Sequence, residues 1–177
     1  MTRPGYVLVK GTAGLGNRIF ALLTAALYAR LASRRLVVDW SDPSYSNDRS
    51  NVVHRFFHSP VMSPLDELPD TASVRPSVWR GRLHRTAMEL VREQLPELVT
   101  DPLVWRHYSF ELARLDHQEE LLVMWTYYPL VNELRRHFHG EFSTLRELDD
   151  DGVLRRLMRE TLELHPAIRQ RVDDVRS

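Results

Sequence analysis

The chain has 177 residues, enough for one ordinary domain that buries its own core, and its 43% hydrophobic and 27% charged content is that of a globular protein. Its 24 basic and 24 acidic residues cancel, which removes any global pull toward nucleic acid or an anionic membrane. Cysteine is absent, which excludes disulfides, thiolate metal sites and cysteine nucleophiles and fits a cytoplasmic protein, and Lys10 is the only lysine.

Tyr6–Lys10 reads as a buried strand, too short to be the apolar core of a secretory signal. Lys10-Gly11-Thr12-Ala13-Gly14-Leu15-Gly16-Asn17-Arg18 is a glycine loop. The helix that follows, Ile19–Leu31, is apolar around most of its circumference and reads as buried between layers, but it falls short of a bilayer span. Leu36–Asp39 is a second strand, parallel to the first through a right-handed crossover. Residues 41–60 form a long polar loop, with a short strand expected near Val61. Ser77–Gln94 is expected to be helical, and Val104–Phe110 and Leu121–Trp125 to be strands. Helices are expected over Leu130–Phe138, Asp151–Leu162 and Ala167–Val175, with Thr144-x-x-Glu147 as a capping box and Asp149–Asp151 as helix-start acids. The alternation gives an α/β fold with a mostly parallel sheet.

Charge is unevenly placed. Residues 1–60 carry eight basic against three acidic side chains, a net +5, and the remainder carries −5. This suits an anionic ligand near the glycine loop, and it equally suits solvated helix ends. A glycine loop between a strand and a helix turns backbone N–H groups toward an anion. The spacing Gly11-x-x-Gly14-x-Gly16 departs from the dinucleotide fingerprint, although Asp39 stands where a ribose-binding acid would. Asn17-Arg18 replaces the Lys-Ser/Thr of a Walker loop. A tight turn with no ligand is the plain alternative. Against it, Asn17 offers a helix-start amide, and Arg18 offers a planar fork suited to phosphate.

Gly14-Leu15-Gly16-Asn17-Arg18, the helix containing Leu27-Tyr28-Ala29, and Leu36-Val37-Val38-Asp39-Trp40 together resemble the opening of GDP-fucose-dependent fucosyltransferases. The bacterial nodulation-type α1,6-fucosyltransferases are the nearest pattern within that group. They have a similar Val-Val-Asp-Trp strand followed by a Ser/Asp/Asn-rich loop, here Ser41–Asn51. The specific match covers roughly residues 6–57, and Leu162–Ile168 resembles the family's lead-in to a second domain.

The resemblance implies a Rossmann-like domain forming one half of a GT-B architecture. Residues 1–177 would be a single N-terminal, acceptor-side domain, with the C-terminal donor-binding domain absent. It implies inverting fucosyl transfer from GDP-fucose to a glycan hydroxyl, with no cofactor and no metal. Carried over, Gly14, Gly16, Asn17 and Arg18 face the donor pyrophosphate, and Asp39, Trp40, Tyr45 and Asp48 line the acceptor side. Asp39 is the candidate general base, beside a structural role in anchoring the loop after it. The family's His-x-Arg-x-Gly/Thr-Asp donor motif is not matched: His84-Arg85-Thr86 has no following Asp. The chain is therefore expected to be inactive without a second domain.

The partners expected are a nucleotide sugar, a glycan acceptor and a missing or separate C-terminal domain, with no nucleic acid and no membrane span. His54-x-x-x-His58 and His137-x-His139 lack a completing acid, so metal is not expected. A reading from a different class is a non-catalytic α/β module that binds a nucleotide or a partner protein.

Overall fold

The continuous apolar runs of the sequence become the inner strands of a parallel sheet, where both faces are covered and alternation disappears. In a computed structural model, which describes residues 5–43 and 45–176, β1 (Tyr6–Lys10) lies between β2 (Arg35–Asp39) and β6 (Leu121–Met124). Tyr6 stands opposite Arg35 on one side and Leu121 on the other, and Lys10 stands opposite Asp39. Two short parallel strands complete the sheet: β4 (Met62–Ser63) beside β2 and β5 (Val74–Arg75) beside β6. The order is β4-β2-β1-β6-β5, the α/β, mostly parallel, Rossmann-like sheet that the sequence implies.

Helix α1 (Leu15–Leu31) packs on β1 and β2, and α4 (Val131–Leu134) and α5 (Asp150–Thr161) cover its other side. That double coverage is why Ala21 through Ala29 are all buried. The helix stops in a Schellman arrangement: Ser33 N–H donates to Arg30 O at 3.3 Å and Arg34 N–H to Ala29 O at 2.8 Å, with Ser33 at φ 52°. At the start of α5, Asp149 accepts from Gly152 N–H at 2.7 Å, the cap expected of that acidic run.

The middle of the chain departs from the sequence reading. Ser77–Gln94 is not one helix. A 3₁₀ turn at Ser77–Trp79 and a left-handed Gly81 (φ 67°) precede α3 (Ala87–Gln94). The capping box lies here rather than at Thr144: Thr86 Oγ1 accepts from Glu89 N–H at 3.2 Å, and Glu89 Oε2 accepts from Thr86 N–H at 2.8 Å. Thr144 sits in a 3₁₀ segment and accepts from Arg156. Val104–Phe110 is a 3₁₀ turn over Val104–His107, not a strand. Its buried Val104, Trp105 and Tyr108 follow a one-then-three spacing, which suits a helical turn and not a pleat. The expected helix over Leu130–Phe138 is a single α turn, α4, followed by a 3₁₀ turn at Arg135–His137.

The loop after β2 holds α2 (Val53–Phe56) and β3 (Phe57–His58). That strand pairs antiparallel with β7 (Glu163–Leu164), just before α6 (Pro166–Arg176). Among the described residues no helix is long and apolar enough to cross a membrane.

Candidate functional site

Parallel strands deliver their C-terminal ends to one edge of the sheet, and ligands of α/β folds bind there. Lys10 and Asp39 end β1 and β2 on this edge, and the loop after β6 runs beside them. The glycine loop leaves β1 through Gly11, whose N–H continues the ladder by donating to Asp39 O at 2.7 Å. A Cβ on Gly11 would lie 2.3 Å from Trp40 Cδ1, so the indole beneath the loop requires this glycine. Ala13 (φ 56°) turns the chain, and Gly14 becomes the N-cap of α1 with no side-chain cap. The first-turn N–H groups, of Leu15, Gly16 and Asn17, lie too early in α1 to find a carbonyl within it. Gly14 and Gly16 are exposed, and nothing lies within 4 Å of a Cβ placed on either. The helix mouth is therefore open.

The charged groups around it are largely engaged with one another. Arg18 curls back under the loop, as helical side chains do. Its Nε donates to Ala13 O at 3.1 Å, its Nη2 donates to Asp42 Oδ1 at 3.2 Å, and its guanidinium lies 4.4 Å from the Tyr45 ring centre. Its side chain is fully enclosed, and among the described residues Nη1 is a buried nitrogen without a partner. Burial lowers the Arg18 pKa, and Asp42 opposes that shift. Lys10 Nζ forms a buried ion pair with Asp39 and donates to Leu83 O at 2.8 Å.

The structure places the remaining sequence-predicted residues as follows. Asp39 also accepts from Ser41 N–H at 2.9 Å. Burial by itself would raise the Asp39 carboxyl; the Lys10 ammonium and the hydrogen bonds from Lys10 and Ser41 outweigh it and hold Asp39 below the usual carboxylate range. A carboxylate so stabilised is a weak base, and its contacts anchor the loop. Trp40 is fully buried, edge-on to Phe57 at 6.1 Å, so its ring supports the loop from below. Tyr45 is 40% exposed and lies over Arg18. Asp48 is exposed and closes its own turn, accepting from Ser46 Oγ at 2.9 Å and Ser50 N–H at 3.0 Å, which lowers its pKa. Asn17 and Gly16 reach the surface at the mouth, whereas Arg18 lies behind it.

Three contributors are not evident from the sequence. Asn51 fastens the loop, accepting from Trp40 N–H at 3.0 Å and donating to Val38 O at 2.6 Å. Asp42 holds Arg18. Tyr127, from the loop after β6, reaches Met88 of α3 at 3.5 Å, and burial followed by the charge of Asp42 raises its pKa, so the phenol stays neutral. Lys10 had a signal, its being the sole lysine. Beside Asp39 and Ser41 opens a cleft of about 420 Å³, lined by Arg49, Leu65, Leu68, Pro69, Asp70, Leu83, His84 and Thr86. Among the described residues no group of His, Asp or Glu is arranged to hold a metal ion.

No protein-family model and no curated protein matches the chain. Solved structures do. The fucosyltransferase NodZ from Bradyrhizobium aligns with 98% of this chain at 19% identity and a TM-score of 0.58. NodZ α-1,6-fucosyltransferase soaked with GDP-fucose gives 19% and 0.60, and the form co-crystallised with GDP gives 20% and 0.57. In each case the match covers 55% of the NodZ chain, so this chain spans about half the length of the structures it matches. What is shared at this identity is the fold, here one half of a fucosyltransferase structure.

Proposed function

We propose that this chain is the N-terminal, acceptor-side half of an inverting, metal-independent GDP-fucose-dependent fucosyltransferase of GT-B architecture. The observation that carries the reading is the open mouth of α1 at the C-terminal edge of the sheet. Leu15, Gly16 and Asn17 present N–H groups there, with Gly14 as an N-cap that offers no side-chain cap. Likeness in fold to a fucosyltransferase that has been soaked with GDP-fucose adds weight.

The chemical task is to stabilise GDP as it departs with growing negative charge. Fixed N–H dipoles at a helix start do this without reorganising. Arg18 serves this mouth from behind, holding Ala13 in place through its Nε. Tyr45 and Asp48 stand on the acceptor side, and Asp39 orders the loop that carries them. The second half of the site supplies the remaining donor contacts, so residues 1–177 by themselves bind donor weakly and turn it over negligibly.

Calorimetry with GDP, GDP-fucose and NAD tests the reading. Binding of the guanine nucleotides, abolished by Asn17→Asp, is expected. NAD binding without GDP binding would overturn it, as would robust fucosyl transfer by residues 1–177 for the half-site claim. A chain that binds none of the three is a partner-binding module instead.

A further inference from the structure

Another cavity, of about 440 Å³, opens beside β5, the edge strand that stands two strands from β1, and it shares no lining residue with the cleft beside Asp39. It arises from the way β6 is bordered. Val74 and Arg75 stand opposite Leu121 and Leu122. Beyond them a different segment takes over, with Phe110 N–H donating to Val123 O at 3.1 Å and Ser109 Oγ accepting from Trp125 N–H at 2.9 Å. Two segments thus flank one strand end to end, and the cavity is lined by residues 74–77 of the first and 109–111 of the second, together with Arg80 and Glu119. The two are tied by the buried Trp79, whose Nε1 donates to Tyr108 O at 2.8 Å. The backbone at Glu111 is held in turn, its carbonyl accepting from Nε2 of the buried His117 at 2.9 Å. The volume lies within the ~300–1,000 Å³ of small-molecule sites.

The charges on this lining are unequally engaged. Residues 71–88 hold four arginines and no acid. Arg75 is matched to Glu119 at 3.1 Å, and Arg82 and Arg85 are matched to Glu93 at 4.0 and 3.1 Å. Arg80 is exposed and, among the described residues, forms no salt bridge. Glu111 is also exposed and forms none among them, because the nearby Arg114 pairs with Asp116 at 3.0 Å. One cavity therefore carries one unmatched cation and one unmatched anion, on two segments that Trp79 holds together. Val74, Pro76 and Phe110 add apolar lining. A ligand of one charge sign would satisfy one of the two groups and meet a like charge at the other. We propose that this cavity binds a small zwitterion of the α-amino acid class with an apolar side chain, its carboxylate on Arg80 and its ammonium on Glu111. The guanidinium fork suits a carboxylate bidentately. Such a ligand is neither the sugar nucleotide nor the glycan of the proposed transfer, so the assignment stands or falls apart from that reading.

The test uses the full 177-residue chain with ¹⁵N-labelled backbone amides, titrated with three probes of one shape. These are L-leucine, isocaproate, which lacks the ammonium, and isoamylamine, which lacks the carboxylate. Leucine is expected to shift the amides of Arg80, Gly81, Phe110 and Glu111 and to bind about tenfold more tightly than either of the others, as a charge-assisted contact is worth. Arg80→Gln and Glu111→Gln, both at exposed positions, should each weaken leucine about tenfold. The first should also erase its preference over isoamylamine, and the second its preference over isocaproate. Isocaproate or isoamylamine binding as tightly as leucine to the parent chain would overturn the zwitterion assignment. Absence of shifts around the cavity with all three probes, or leucine shifts unchanged in both variants, would overturn the site itself.

Discussion

The three glycines of the loop occupy three different physical situations, and substituting alanine for each should separate them. At Gly11 the new methyl would lie 2.3 Å from Trp40 Cδ1 and 2.8 Å from its Nε1. The indole is fully buried and cannot swing into solvent, so the strand end or the loop must shift. Overpacking of this kind costs about 1–3 kcal/mol, and in a domain of this size each kcal/mol lowers Tm by roughly 2–4 °C. Gly11→Ala should therefore melt about 4–8 °C lower for a mid-range cost of ~2 kcal/mol. Gly14 is the N-cap, where glycine is better than alanine, and a loss of up to about 1 kcal/mol is expected. Gly16 lies inside the first turn of α1 with open space at its Cβ, so alanine there should stabilise by ~0.5–1 kcal/mol while crowding a ligand at the mouth. Urea unfolding with GDP titration on each variant reads both effects. A Gly11→Ala variant as stable as the parent would refute the packing argument, and a Gly16→Ala variant with undiminished GDP binding would show that the mouth is not the ligand's seat.

Asp39→Asn should cost about 3–5 kcal/mol, because Lys10 is left buried without its counter-charge, and Lys10→Met in the same chain should restore much of the loss; a double-mutant cycle in urea measures both. Because the Asp39 pKa is lower folded than unfolded, the unfolded chain binds the extra proton between the two values. This contribution is present above the unfolded value of ~3.9 and is lost as pH falls toward the folded value. The acid limb of the urea-midpoint profile should accordingly be shallower in Asp39→Asn. Thr86→Ala removes the cap of α3 and should cost about 1 kcal/mol, read as a lower urea midpoint with an unchanged m-value.

The inner sheet and α1 were legible because their signals are long and one-sided: Tyr6–Val9, Leu36–Val38 and Leu121–Met124 are apolar throughout, and nothing competes with them. Residues 77–110 were not legible, for local reasons. Leu83, Ala87, Leu90 and Val91 keep a helical spacing that invites extending the helix back over Val78, but the left-handed backbone of Gly81 breaks it. Trp105 and Tyr108 are aromatic enough to suggest a strand, yet they are buried by a 3₁₀ turn. Of the two-residue strands, β4 falls where a short strand near Val61 is expected, whereas β5 holds its place through tertiary pairing, which no local pattern announces. At the site, the open glycine mouth follows from Gly14 and Gly16. The inward turn of Arg18 does not, because it depends on Asp42, 24 residues away.

The ion pairs also bear on what the helix mouth can do by itself. A buried guanidinium and a buried ammonium next to a helix mouth suggest a strong anion trap. Each is instead matched with a carboxylate from the strand or loop that follows β1 in the sheet, Arg18 with Asp42 and Lys10 with Asp39. In a low-dielectric setting such pairing cancels most of the field that either cation would project. What remains for a diphosphate is the set of N–H dipoles of Leu15, Gly16 and Asn17, together with the one unpaired nitrogen of Arg18 behind them. Dipoles at a helix start contribute ~0.3–1 kcal/mol for an exposed anion and up to ~2 kcal/mol when partly buried, against the 8.2 kcal/mol of micromolar binding. For a diphosphate to bind this mouth tightly, an opposing surface would have to supply both cations and desolvation, and its closure would raise the worth of the same N–H groups by excluding water.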